Sequence, residues 1–144
     1  IIEILSKKGE EMKKEKMTIE YELHSRSKSI IWQLISTGEG LSRWMADEVE
    51  DNNGTLTVTW GSPMGVKEVR HARVLEREKN RCIRFRWSED EGNEDYFVEL
   101  RISHDALTDT YLLTITDFAE PDDVDSMTHI WNHDREKLLR RTGV

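Results

Sequence analysis

A second cysteine is missing from this chain: Cys82 stands alone. No internal disulfide can therefore staple the fold, and a lone thiol suits a reducing cytoplasm, the expected location. Also missing is any apolar run near the ~20 residues of a membrane-spanning helix. Ile1 to Leu5 is too short for a secretory h-region and runs straight into charge. Positive charge is outweighed, with 29 acidic against 21 basic residues and a net charge of −8. That balance argues against a nucleic-acid backbone or an anionic membrane as main partner. The catalytic signatures are absent too: there is no nucleophile elbow, no P-loop and no dinucleotide-binding glycine pattern. Gly61-Ser62-Pro63-Met64-Gly65 looks Gly-rich, but no Lys-Ser/Thr pair follows it. No catalytic residues and no cofactor are expected.

What is present fits one domain. At 144 residues a fold buries roughly 68–70% of its extended-chain surface, enough to need no metal staple. Residues 1–16 read as an appendage, disordered or non-native, with Met12 and Met17 both candidate starts. The domain itself is expected over 17–144. Met17 to His24 alternates Ile19, Tyr21 and Leu23 with polar residues, the mark of a half-buried strand. Ser25 or Ser27 then caps a helix through Ile30, Ile31, Trp32, Leu34 and Ile35. Thr37-Gly38-Glu39-Gly40 breaks it, and a second short helix, Leu41 to Met45, carries Trp44.

From Val49 to Phe118 the pattern is a run of antiparallel strands. Asn52-Asn53-Gly54 is a hairpin signal. The Val69, Ala72, Val74 spacing breaks the period of two, so a bulge is expected there. Ile83, Phe85 and Trp87 share one strand face, and Tyr96, Val98, Leu100 and Ile102 share another. The inward set of the last strand is open between Leu113, Ile115 and Asp117 and the alternating Leu112, Thr114, Thr116 and Phe118.

The last segment, Pro121 to Gly143, reads as one long helix. Pro121 suits its first position, and Asp122, Asp123 and Asp125 sit at the positive end of its dipole. Lys137, Arg140 and Arg141 sit at the negative end, before Gly143. Val124, Met127, Trp131 and Leu138 form one stripe, with Ile130 and Asp134 on its flank. His129 and His133 are expected on the opposite, solvated face. The result is an α+β architecture: a curved antiparallel seven-stranded sheet wrapped on a long C-terminal helix, with two short helices after the first strand.

Ser27 to Trp44, with Trp32, Thr37, Leu41 and Trp44, resembles the opening of helix-grip domains of the START-like, Bet v 1-like and Hsp90-ATPase-activator-homologue-like superfamily. Arg81 to Trp87 resembles their central strand, and Thr116 to Glu120 resembles the bacterial START-like branch. The resemblance spans about residues 17 to 142. It implies the helix-grip fold and a cavity that binds apolar small molecules in some relatives, but no single chemistry.

The candidate ligand site is the space between sheet and long helix. Its expected lining is Trp60, His71, Phe85, Trp87, Tyr96, Val98, Leu100, Met127, Ile130, Trp131 and Asp134. Apolar walls with a few polar groups suit a small molecule or lipid. The competing reading is that large side chains, five tryptophans among them, fill the space as packed core. His129 and His133 have the i,i+4 spacing of metal ligands, with Asp125 in the same row, but no third ligand is visible and no metal is expected. Cys82 stands between Arg81 and Arg84, cations that lower a thiol's pKa, although an inert strand cysteine is the simpler reading. Asp117 and Asp134 are an acid/base pair only if the fold brings them together. Arg70, Arg73, Arg77, Arg84 and Arg86 face Glu68, Glu76, Glu78 and Glu99, as a solvent-side charge ladder or as a docking patch for a protein partner. A monomer and a homodimer both remain open.

Overall fold

The computed structural model describes residues 13–61 and 64–144. Strand β1 (Glu15–Glu22) is followed by helices α1 (Lys28–Ser36) and α2 (Gly38–Leu41). Strands β2 (Glu48–Asn52), β3 (Thr55–Trp60), β4 (Glu68–Glu78), β5 (Cys82–Trp87), β6 (Val98–Asp105) and β7 (Thr110–Ala119) come next. Helix α3 (Val124–Thr142) closes the chain. The sheet is antiparallel throughout, in the order β1-β7-β6-β5-β4-β3-β2. The seven-stranded α+β arrangement expected from the alternation is therefore the observed one.

Local chemistry explains most of the corners. Asn53 and Gly54 both take positive φ, at 54° and 91°, which makes the two-residue turn between β2 and β3 whose twist matches its strands. Asn80, at φ 64°, turns β4 into β5. The β4 bulge lies where the register slips between Val74 and Glu76. Ser27 caps α1 by accepting from the Ile30 amide at 3.3 Å. The second helix differs from expectation: it is Gly38–Leu41, capped by Thr37, and Trp44 lies beyond it in a turn. Thr37 accepts the Gly40 amide at 2.9 Å, so the residue expected to break one helix starts the next. Gly40 also lets the two helices meet, since a Cβ there would lie 2.1 Å from the Gln33 carbonyl oxygen. Pro121–Asp123 forms a tighter 3-10 turn ahead of α3, and Gly143 ends that helix at φ 77°.

The core lies between the concave sheet face, α1 and the C-terminal half of α3. Ile31, Ile35, Leu41, Trp44, Leu56, Val58, Ile83, Phe85, Leu100, Leu113, Ile115 and Leu138 are among its fully buried members. The open question about β7 is answered by burial: Leu113, Ile115 and Asp117 point inward. Trp44 is held by donating from Nε1 to the Leu34 carbonyl at 2.9 Å. Its ring packs on Trp131, 6.3 Å between centroids.

β1 begins two residues before the expected boundary at Met17. Lys14, expected in the appendage, bonds the Asp90 carboxylate at 2.8 Å, and its amide donates to the Tyr96 hydroxyl. Residues 1–12 of that segment lie outside the described residues. Among the described residues no helix is long and apolar enough to cross a membrane.

Candidate functional site

The helix α3 does not seal against the sheet along its whole length. Trp131, Asp134, Arg135 and Leu138 are buried, whereas Ile130, one residue from Trp131, is 51% exposed. Along one flank of the helix, from Met127 to Lys137, a pocket of about 610 Å³ opens between α3 and the ends of β3, β4 and β5. That volume suits a small organic molecule. Trp60, Trp87 and Trp131 form its aromatic walls, with Met45, Met127 and Ile130. Trp60 and Trp87 pack at 6.0 Å, and Phe85 supports Trp87 edge-on at 5.4 Å.

Six of the eleven expected lining residues meet there: Trp60, Trp87, Met127, Ile130, Trp131 and Asp134. The structure places the others elsewhere. Phe85, Val98 and Leu100 face the same way but are fully covered. Tyr96 precedes β6 and packs on Phe118, a residue of the outer sheet face, at 5.4 Å. His71 points out to solvent, because the inward residues of β4 are its neighbours Arg70 and Ala72. Its ring meets Thr57 at 3.4 Å.

Other groups reach the pocket that the periodicity did not assign to it. His129, His133 and Lys137 line it, so the two histidines stand at its rim rather than on the opposite face of α3. Glu68 and Arg70 come from β4. Arg70 shares the parity of Ala72 and Val74, which face inward, and that was the available signal. It therefore leaves the arginine row of the outer face. Its guanidinium stacks on Trp87, 3.9 Å from the ring centroid, and pairs with Glu89.

Two carboxyls face this space, and their environments differ. Asp117 sits on β7 with both oxygens engaged. It accepts from Trp131 Nε1 at 2.9 Å and from the Phe118 amide at 2.8 Å. Burial raises its pKa, although both donors pull the other way. Asp134 is 7% exposed. Among the described residues it has neither a hydrogen bond nor an ion pair. Burial pushes its pKa up to about 7, against the opposing field of Lys137. Next to it Arg135 is turned away, donating from Nη2 to the carbonyls of Glu22 at 2.9 Å and Val144 at 3.5 Å.

On the outer face Cys82 is buried and has the Arg101 guanidinium at 3.6 Å. Burial pushes its thiol pKa up, overriding Arg101. These surroundings accord with the inert strand cysteine, the simpler of the two readings.

This architecture has known counterparts. The profile of START-like superfamily domains matches residues 11–144. The chain belongs to the START-like superfamily. A Bacteroides fragilis protein solved by solution NMR is 41% identical, with 91% of this chain and 92% of that chain covered and a TM-score of 0.60. An AHSA1-like protein from Aeromonas hydrophila shares the fold at TM-score 0.71 and 12% identity, over 90% of this chain and 92% of that one. The Aha1 dimer from Colwellia psychrerythraea does so at TM-score 0.60 and 14% identity, over 88% and 92%. Among curated proteins none matches. The pocket lies where the helix grips the sheet.

Proposed function

We propose that this START-like domain binds an apolar small molecule or lipid, without catalysis, in the pocket between α3 and the β3–β5 end of the sheet. The observation that carries this reading is the pocket wall: three tryptophans with Met45, Met127 and Ile130 bordering about 610 Å³ of open space. Apolar surface left facing water at that scale is costly, and a ligand would remove it from water. Native mass spectrometry of the purified protein, before and after denaturation, tests the reading. A reproducible extra mass that vanishes on denaturation is the expected result. A bare protein mass, together with no change in tryptophan emission when neutral and cationic apolar fluorophores are titrated in, overturns it.

A docking role for the outer sheet face has less support. Its arginines are already paired within the chain, Arg73 with Glu91, and Arg84 and Arg101 with Glu99, while the register past the β4 bulge sets Arg77 opposite Ile83 on the inner face, where it pairs with Asp51. Arg86 is buried and donates to the carbonyls of Tyr96 and Glu94. A partner of the co-chaperone kind, or a second copy of the chain, would have to displace these pairs. The unbridged thiol of Cys82 accords with a cytoplasmic setting.

A further inference from the structure

We propose that the ligand of this pocket is an apolar organic cation, whose ammonium group seats on the Asp134 carboxylate while its hydrocarbon body fills the space between Trp60, Trp87 and Trp131. The proposal rests on the ligand-binding reading above and adds the chemical class.

The argument is one of elimination among the polar groups that face the pocket. Arg70 is neutralised by Glu89 and covers Trp87. Asp117 spends one oxygen on Trp131 and the other on the Phe118 amide. Asp134 is the buried acid of the pocket left without a partner among the described residues, Glu68 standing exposed, and it borders the tryptophan walls. A buried carboxylate without a partner is costly, and a bound cation removes that cost with a charge-assisted hydrogen bond. Indole faces are the best aromatic surfaces for a cation, and the interaction strengthens when water is excluded.

The groups around Asp134 leave room for that charge. On its own helix Lys137 is close enough to lower its pKa, yet it forms no ion pair with it, and His133 stands at the rim. Arg135 points to the Glu22 and Val144 carbonyls. From β1, Tyr21 donates its hydroxyl to Asn132 at 2.6 Å. From β7, Asp117 is occupied as described. From β4, Glu68 adds negative charge at the far wall beside the paired Arg70. With a carboxyl pKa near 7, the empty site is close to half protonated at neutral pH, and a bound ammonium drives that proton off.

The test is calorimetric titration of the full chain with adamantanamine and with adamantanol, a cation and a neutral molecule of nearly the same shape. The wild type is expected to bind the amine at least about tenfold more tightly. In Asp134→Asn the preference is expected to fall below about twofold, with the alcohol's affinity little changed. Amine binding near neutral pH is expected to release about half a proton, read from the dependence of the heat on buffer, whereas the alcohol releases none. That measurement on the wild type stands even where the variant fails to fold. Equal affinities, a preference that survives Asp134→Asn, or amine binding without proton release overturns the cation assignment and leaves the pocket's ligand-binding role intact. Binding of neither compound overturns the cation assignment as well, while the ligand-binding reading answers to the mass measurement above.

Discussion

Replacing Asp134 by asparagine is expected to stabilise the fold at neutral and alkaline pH and to change little near pH 4. The reasoning runs from burial to linkage. In the unfolded chain the carboxyl titrates near 3.8, whereas in the fold burial moves it to about 7. The folded state therefore holds the proton more tightly than the unfolded state. Stability must fall as pH rises through the window between those two values, and it levels off above the upper one. A difference of about three pH units corresponds to about 4 kcal/mol at about 1.36 kcal/mol per unit. The carboxyl opens on a water-accessible pocket, which reduces the penalty, so about 2–4 kcal/mol is the working range. Asparagine keeps the shape and removes the titration. Urea melts of both proteins between about pH 4 and pH 8.5 measure the effect. The wild type is expected to lose stability relative to Asp134→Asn across that interval. A difference that stays constant with pH would refute the reasoning, because it would mean the carboxyl is solvated or partnered. Using the variant as reference removes the opposing trend of Glu99. There hydrogen bonds from Arg101 and Arg84 outweigh burial and hold the pKa down. Glu99 thus stabilises the fold above the ordinary carboxylate range and loses that contribution as pH falls.

Trp131→Phe removes the indole N–H that Asp117 accepts at 2.9 Å. A cost of about 1–3 kcal/mol at neutral pH is expected from the unpartnered buried acceptor, and the restoring variant Asp117→Leu in the same background is expected to recover part of it in urea melts. Gly40→Ala drives a methyl to within 2.1 Å of the Gln33 carbonyl and 2.6 Å of the Leu34 Cα. Both obstacles are backbone, so a loss above about 3 kcal/mol or failure to fold is expected by thermal melting. An alanine at position 92, where nothing lies within 4 Å but φ is 90°, is the control for positive-φ strain alone. It is expected to cost only about 1 kcal/mol.

Elements with a local cause were legible in the sequence. The Asn53-Gly54 turn, the Ser27 cap and the Gly143 stop each depend on a few adjacent residues, and each stands where those residues put it; the β4 bulge is in the expected strand but lies at Val74–Glu76, beyond the Val69 to Ala72 break in the alternation. The seven-strand count follows from alternation, which the sheet's single buried face imposes. Thr37 misled because its hydroxyl does two things: it accepts the Gly40 amide and donates to the Gln33 carbonyl, so it ends one helix while starting another. The site was legible only in part, since strand parity fixes which face a residue joins but not how far along the sheet the helix covers it. Phe85 and Trp87 share a face, yet Phe85 is sealed in the core and Trp87 walls the pocket. His71 departs from the expected lining because strand parity turns Arg70, its neighbour, inward instead.

The boundary between core and pocket runs through a single residue. Below Trp131, Leu138 is sealed in the core and Arg135 is tied to two backbone carbonyls at the strand–helix junction. Above it, Met127 and Val124 are only half covered, and Ile130 stands open. Trp131 closes the core with one edge, through Trp44 and Asp117, and borders the pocket with the other. The stripe Val124, Met127, Trp131, Leu138 is uniformly apolar, so nothing in its composition marks where packing stops. What stops it lies across the gap. Trp60 and Trp87 pack on each other, and Arg70 is stacked on Trp87 and paired with Glu89, so the sheet end is already occupied. The helix therefore has apolar surface with no protein partner over its first two turns. On the ligand-binding reading proposed above, a ligand would supply that missing partner, and Asp134, placed at the seam between the packed and the open halves, is the buried acid it would meet.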